Sequence, residues 1–152
     1  MAELKERLRA DLNAAMRARD QVRMRTLRMA LSSITNEEVA GASARQLSDD
    51  EVMKVLTREA RKRREAAEAF GAAGRDEQAA AERAEGEVLA GYLPAQLSDD
   101  ELSALVAAAI AETGASGVSG MGQVMKTLTP QIAGRADGAR VAAEVRRRLS
   151  AS

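Results

Sequence analysis

One stretch constrains the architecture more than any other: Gly91-Tyr92-Leu93-Pro94-Ala95-Gln96-Leu97-Ser98-Asp99-Asp100-Glu101-Leu102. Proline has no N–H and its ring clashes with a preceding helical turn, so Pro94 interrupts any helix running through it. Leu93 is biased toward an extended conformation. Ser98 is followed three places later by Glu101, the spacing of a capping box in which two side chains satisfy orphan N–H groups at a helix start. The spacing therefore predicts a helix ending near Tyr92, a short extended linker and a new helix from Ser98. It divides the chain into a long, charged N-terminal helical unit, residues 1–94, and a shorter, glycine-punctuated C-terminal helical unit, residues 95–152.

Leucine and alanine periodicity fills in the rest. Leu4, Leu8, Leu12 and Met16 recur every four residues, one stripe of an amphipathic helix, and Asp20 is placed to cap the next. A second helix carries Leu27, Ala30, Leu31 and Ile34 inward and Arg19, Arg23, Arg25 and Arg28 outward. Ser48-Asp49-Asp50-Glu51 repeats the capping-box pattern and opens a third helix burying Val52, Val55, Leu56, Ala60, Ala67 and Phe70. Gly71-Ala72-Ala73-Gly74 predicts a turn into a fourth, from Asp76 to Tyr92, with Ala81, Ala84, Val88, Leu89 and Tyr92 inward. In the C-terminal unit a fifth helix carries Leu102, Leu105, Val106, Ala109 and Ile110. A glycine-rich loop from Gly114 to Gly122 follows, then a sixth helix ending near Pro130, a Gly134–Gly138 connection with Asp137 as N-cap, and a last helix with Val141, Val145 and Leu149. No alternating β-branched run occurs, so the expected class is all-α. The hexapeptide Gln46–Glu51 recurs unchanged at Gln96–Glu101. The residues after it do not match, so two helix starts share one capping solution without marking a duplicated module.

The composition removes most chemistry. There is no histidine and no cysteine, hence no imidazole base, no thiol nucleophile and no ordinary zinc site. The acidic runs Asp49-Asp50-Glu51 and Asp99-Asp100-Glu101 fall in first helical turns, where carboxylates favour the helix dipole. The glycines from Gly114 to Gly122 lack the Gly-Lys-Ser/Thr ending of a phosphate loop. The expectation is no catalytic residue, no metal and no cofactor. No apolar run reaches the roughly 18 residues of a membrane span, and the charged start Met1–Arg7 is unlike a signal peptide. A cytoplasmic protein without membrane contact is expected; the oligomeric state is left open.

Charge is balanced at 23 acids and 23 bases, so only clusters bear on partners. Three are basic: Arg17, Arg19, Arg23, Arg25 and Arg28; Arg61-Lys62-Arg63-Arg64; and Lys126, Arg135, Arg140, Arg146, Arg147 and Arg148. The last set is opposed, between Lys126 and Arg148, only by Asp137 and Glu144. Arginine forks onto phosphate oxygens, and the six C-terminal cations are the candidate tRNA- or phosphate-binding residues. With Phe70 and Tyr92 the only aromatic residues, binding would go to backbone and shape and not to stacked bases.

Tyr92-Leu93-Pro94-Ala95-Gln96-Leu97-Ser98-Asp99-Asp100-Glu101-Leu102, Met121–Lys126 and Gly134-Arg135-Ala136-Asp137-Gly138-Ala139-Arg140-Val141 together resemble the YqeY family. That family is related to the C-terminal tail of the B subunit of the bacterial aspartyl/glutamyl-tRNA amidotransferase (GatB). Arg25–Met29, Asn36–Glu38 and Arg61–Glu65 extend the resemblance into the N-terminal half. It implies an all-α fold of a long-helix N-terminal unit followed by a small C-terminal three-helix bundle. It also implies a non-catalytic role around tRNA-dependent amidation or aminoacylation, with tRNA or a tRNA-charging or amidating enzyme as partner. The alternative is a protein-interaction adaptor in the same pathway that does not touch nucleic acid. A glutamine-dependent carbon–nitrogen ligase label would come by family inheritance alone.

Overall fold

The computed structural model describes residues 2–151. Among them are seven α-helices, one 3-10 turn and no strand. The chain divides into two units, Met1–Leu93 and Pro94–Ser152, each with its own apolar core.

The first unit holds α1 (Glu3–Ala18), α2 (Gln21–Glu38), α3 (Asp49–Ala72) and α4 (Asp76–Ala90). Helix α1 stops because Arg19 turns left-handed, with φ 58°. The Arg19 N–H then donates to the Met16 carbonyl at 3.2 Å and the Asp20 N–H to Ala15 at 3.0 Å, the paired bonds of a Schellman ending. Asp20 restarts the chain at once, its carboxylate accepting the Arg23 N–H at 3.1 Å. Two residues thus separate α1 from α2, and α1 and α2 pack as a helical hairpin, as do α3 and α4. Leu8, Leu27, Ile34, Val52, Leu56 and Leu89 form the buried centre.

Polar side chains enter this core where apolar ones were expected. In the α1 stripe only Leu8 is fully buried, Met16 is 39% exposed, and Lys5 is buried. Its ammonium donates to both Glu38 oxygens, at 2.7 and 2.9 Å. The inward row of α4 is Ala79, Glu85 and Leu89, while Ala81 is exposed and Phe70 of α3 only half-buried. The row is turned because Glu85 receives the Arg25 guanidinium at 2.8 Å and Arg63 at 3.4 Å. α4 ends at Ala90, before Tyr92. The Tyr92 hydroxyl donates to the Asp11 carboxylate, and the Arg7 guanidinium lies 4.6 Å above its ring. Burial first, and then the Asp11 bond, push the phenol up to about 12.

The second unit holds α5 (Asp99–Thr113), the 3-10 turn Val118–Gly120, α6 (Met121–Ile132) and α7 (Gly138–Ala151). All three α-helices touch one another, around Leu102, Val106, Val124, Leu128, Val145 and Leu149. A Cβ on Gly120 would lie 2.7 Å from that of Ala115, so no side chain fits where the loop closes on α6. Helix α6 does not end at Pro130 but contains it. Proline lies near the exposed end of the helix, where one lost backbone bond is cheapest, and two further residues bring Ile132 into the core. Left-handed Ala133 then ends it, with φ 47°.

The repeated hexapeptide adopts the same geometry in both units. Ser48 has φ −71° and ψ 167°, Ser98 φ −69° and ψ 165°, and both complete the capping box. Each preceding leucine is buried, but its N–H finds a different acceptor: Glu38 for Leu47, at 3.3 Å, and the Arg135 carbonyl for Leu97, at 2.8 Å.

Candidate nucleic-acid interface

All six basic residues of the C-terminal unit lie on α6, on α7 or between them, but the structure uses them differently. Arg135 folds back on the end of α6 and donates to the carbonyls of Gln131, at 2.6 Å, and Ile132, at 3.3 Å. It thereby satisfies carbonyls that a helix C-terminus leaves unpaired. Arg140 enters α7 behind the Asp137 cap, whose carboxylate accepts the N–H groups of Ala139 and Arg140 at 3.0 and 3.2 Å. Its guanidinium donates to the Leu97 carbonyl and to Asp99, both at 2.8 Å. Leu97 is therefore gripped twice, by the backbone of Arg135 and the side chain of Arg140.

Glu144 organises the next turn of α7. Arg147 forks onto it with bonds of 2.7 and 3.0 Å, Arg148 reaches it at 3.2 Å, and the Ser103 hydroxyl donates at 3.2 Å from α5. Arg148 also donates to Ser103. The Arg147 bonds, more than any other interaction, hold the Glu144 carboxyl down at about 2, although burial opposes them; the same bonds raise Arg147. Asp99, Leu102, Arg140, Ala143, Glu144 and Arg147 line a groove of about 270 Å³ between α5 and α7. Its charges are matched within its own walls, arginine to carboxylate.

Lys126 and Arg146 complete the set. Both are exposed, and neither has a carboxylate within 4 Å among the described residues. The structure thus brings Arg140, Arg147 and Arg148 together around Asp99 and Glu144, leaves Arg135 as a helix-end cap, and leaves Lys126 and Arg146 facing water. Sequence reasoning missed Ser103, which ties α5 to Glu144 and Arg148. It carries no sequence signal, because its partners lie 41 and 45 residues away.

The other two basic clusters divide in the same way. Lys62 and Arg63 on α3 are paired with Glu59, Glu82 and Glu85 at 3.3–3.4 Å, and Arg61 reaches Glu65 at 3.9 Å. At the α1–α2 turn Arg25 is the one arginine whose guanidinium has a carboxylate partner among the described residues. No three histidine, cysteine, aspartate or glutamate side chains among the described residues could jointly hold a metal ion, and no single helix there is long and apolar enough to cross a membrane.

A family model described as Yqey-like protein matches residues 5–149. The chain belongs to the YqeY family. The YqeY match spans both units, the Leu93–Pro94 joint, the three basic clusters and every candidate cation from Lys126 to Arg148. No curated protein matches the chain.

Proposed function

We propose that this YqeY-family chain is a non-catalytic tRNA-binding or tRNA-enzyme accessory protein of the cytoplasm, associated with tRNA-dependent amidation. In this reading the first unit is the long-helix part. The second is a small three-helix bundle of the kind found in the tail of the amidotransferase B subunit. The observation that carries the reading is the placement of Lys126 on α6 and Arg146 on α7: both exposed and uncompensated among the described residues, with the exposed fork of Arg147 next to Arg146 on α7. Exposed cations of this kind release counterions from a phosphate backbone, which makes binding salt-dependent.

The test is binding of the full chain to bulk tRNA at two salt concentrations, with duplex DNA as competitor. Changing Lys126 and Arg146 to glutamine is expected to weaken binding and to flatten the salt slope by about one for each phosphate no longer neutralised. Unchanged binding refutes the site assignment. Arg135 and Arg140 are unsuitable for this purpose, since their side chains hold α6 and Leu97 in place.

A second reading, the adaptor, is favoured by the groove between α5 and α7. There Asp99 stands 97% exposed beside Arg140, so an approaching polyanion meets a carboxylate as well as a guanidinium. A polypeptide with its own matched charges suits such walls better. A stoichiometric protein partner that stays bound after nuclease treatment, and is lost on changing Asp99 or Arg147, would support this reading over the first.

A further inference from the structure

The turn joining α1 to α2 carries the least compensated positive charge among the described residues. Between Arg17 and Arg28 the sequence places five arginines and one acid. That acid, Asp20, is half-buried, with one carboxylate oxygen capping the start of α2. Arg25 is drawn away to Glu85. The guanidinium groups of Arg17, Arg19, Arg23 and Arg28 are left with no carboxylate within 4 Å among the described residues. By sequence the C-terminal set carries the same excess of positive charge, yet most of its arginines are bound to Glu144, Asp99 and backbone carbonyls.

Three details make these arginines a surface and not scattered charges. Arg17, in the last turn of α1, and Arg19, just beyond it, follow Met16 in the chain. Arg28 crosses from α2 to the same methionine, its Nη2 lying 3.5 Å from the sulfur. A thioether is a weak acceptor, so this approach positions the guanidinium without neutralising it. Arg19, finally, occupies the left-handed position of a Schellman ending, where glycine is the favoured residue. Its side chain is exposed. Backbone geometry alone would select glycine there, so the arginine is not explained by the turn it sits in.

We propose that the α1–α2 turn, through Arg17, Arg19 and Arg28, is a binding surface for the phosphodiester backbone of nucleic acid. It is separate from the C-terminal cations and does not depend on them. Guanidinium forks match phosphate oxygens, and unpaired exposed arginines are the groups that gain most from releasing condensed counterions. The absence of an exposed aromatic ring at the turn makes phosphates, not stacked bases, the groups bound. An acidic polypeptide is the competing occupant.

The experiment uses the full chain and fluorescently labelled bulk tRNA, followed by anisotropy between 0.05 and 0.2 M salt. Poly-L-glutamate is added as the carboxylate competitor. The turn variant is Arg17→Gln/Arg19→Gly/Arg28→Gln. Arg19→Gly alone is the second variant, because glycine fits the observed φ and leaves the backbone undisturbed. Near 0.1 M salt each phosphate that is no longer neutralised is expected to weaken binding roughly eightfold and to lower the salt slope by about one. Arg19→Gly should show one such step and the triple variant up to three. Wild-type affinity and slope in both variants would overturn the proposal, as would displacement of tRNA by poly-L-glutamate at equal charge concentration. The Lys126→Gln/Arg146→Gln protein separates the two surfaces. Weakened binding in that variant alone overturns the α1–α2 surface and supports the C-terminal one. Weakened binding in the turn variants alone does the reverse, and weakened binding in both keeps both.

Discussion

Lys5 and Glu38 form the most buried ion pair of the first unit, and its removal has a calculable effect. The ammonium sits 2.7 and 2.9 Å from the two carboxylate oxygens, and one of these also accepts the Leu47 N–H at 3.3 Å. The pair thus joins α1, the end of α2 and the segment leading into α3. At such a separation an effective dielectric of about 20 gives a gross attraction of about 6 kcal/mol. Desolvation offsets much of that, and deleting one partner of a buried pair leaves a net loss of about 3 kcal/mol. The lower end of the usual range applies because about a tenth of the Glu38 side chain remains in water. Lys5→Met should therefore destabilise the first unit by about 3 kcal/mol. With a urea slope on the order of 1 kcal/mol/M for a unit of this size, the midpoint falls by about 2–3 M. Tyr92, the only tyrosine in a chain without tryptophan, lies in this unit's core and reports its unfolding by fluorescence. Lys5→Met/Glu38→Leu should recover most of the loss and keep about 1 kcal/mol, the cost of the orphaned Leu47 N–H. The pH dependence fixes the sign. Lys5 lowers the Glu38 pKa in the folded state, so the pair's stabilisation is present above the ordinary glutamate value and is lost as the pH falls through the lowered one. The deficit of Lys5→Met is accordingly full at neutral pH and shrinks below about pH 4. Additive single and double losses, or a deficit unchanged at pH 3, would refute the reasoning.

Four further outcomes are expected. Glu144→Gln should release Arg147 and Arg148 and tighten tRNA binding by the chain if the C-terminal cations engage phosphate, measured by the same anisotropy titration; weaker or unchanged binding argues for the adaptor. In the wild type the stabilisation from Glu144 should persist above its ordinary value and decline as pH falls toward about 2, which thermal melts of the separate Glu144→Gln protein should lack. Gly120→Ala should cost about 1–3 kcal/mol by overpacking against Ala115, read as a lower melting temperature by circular dichroism at 222 nm; since the Gly120 φ of −83° is ordinary, a smaller loss would mean that the loop shifts. Tyr92→Phe should cost about 1–2 kcal/mol by removing the bond to Asp11, and the wild-type phenol should ionise near pH 12 in an ultraviolet titration, with an ordinary value of about 10 counting against the buried bond.

What was legible in the sequence was local. Both capping boxes, the Asp20 and Asp137 caps, the Leu93–Pro94 break and the Gly114 stop depend on residues within four positions of each other, and each stands where spacing placed it. Burial was less legible wherever charge entered the core. Periodicity assigns Lys5, Glu59 and Glu85 to water, and only the partners Glu38, Ser33 and Arg25, up to 60 residues away, make their burial tolerable. The same limit applies to the candidate site. Counting cations singled out Arg140 and Arg148. Which of them remain available to a ligand is decided by Leu97, Asp99 and Ser103, more than 40 residues distant. At the α1–α2 turn the identity of the arginines was plain from the sequence. That four of their guanidinium groups meet no carboxylate among the described residues was not, because it depends on where the carboxylates of the folded unit lie.

The repeated hexapeptide provides an internal standard for dynamics. The N–H groups of Glu51 and Glu101 have the same local sequence up to that residue, the same dihedral setting at the preceding serine and the same acceptor, at 3.2 and 3.1 Å. Their intrinsic exchange chemistry is therefore nearly cancelled in a comparison. The ratio of their hydrogen-exchange rates in one sample reports how much more often one helix opens at its first turn than the other. It needs no denaturant, no mutation and no reference peptide.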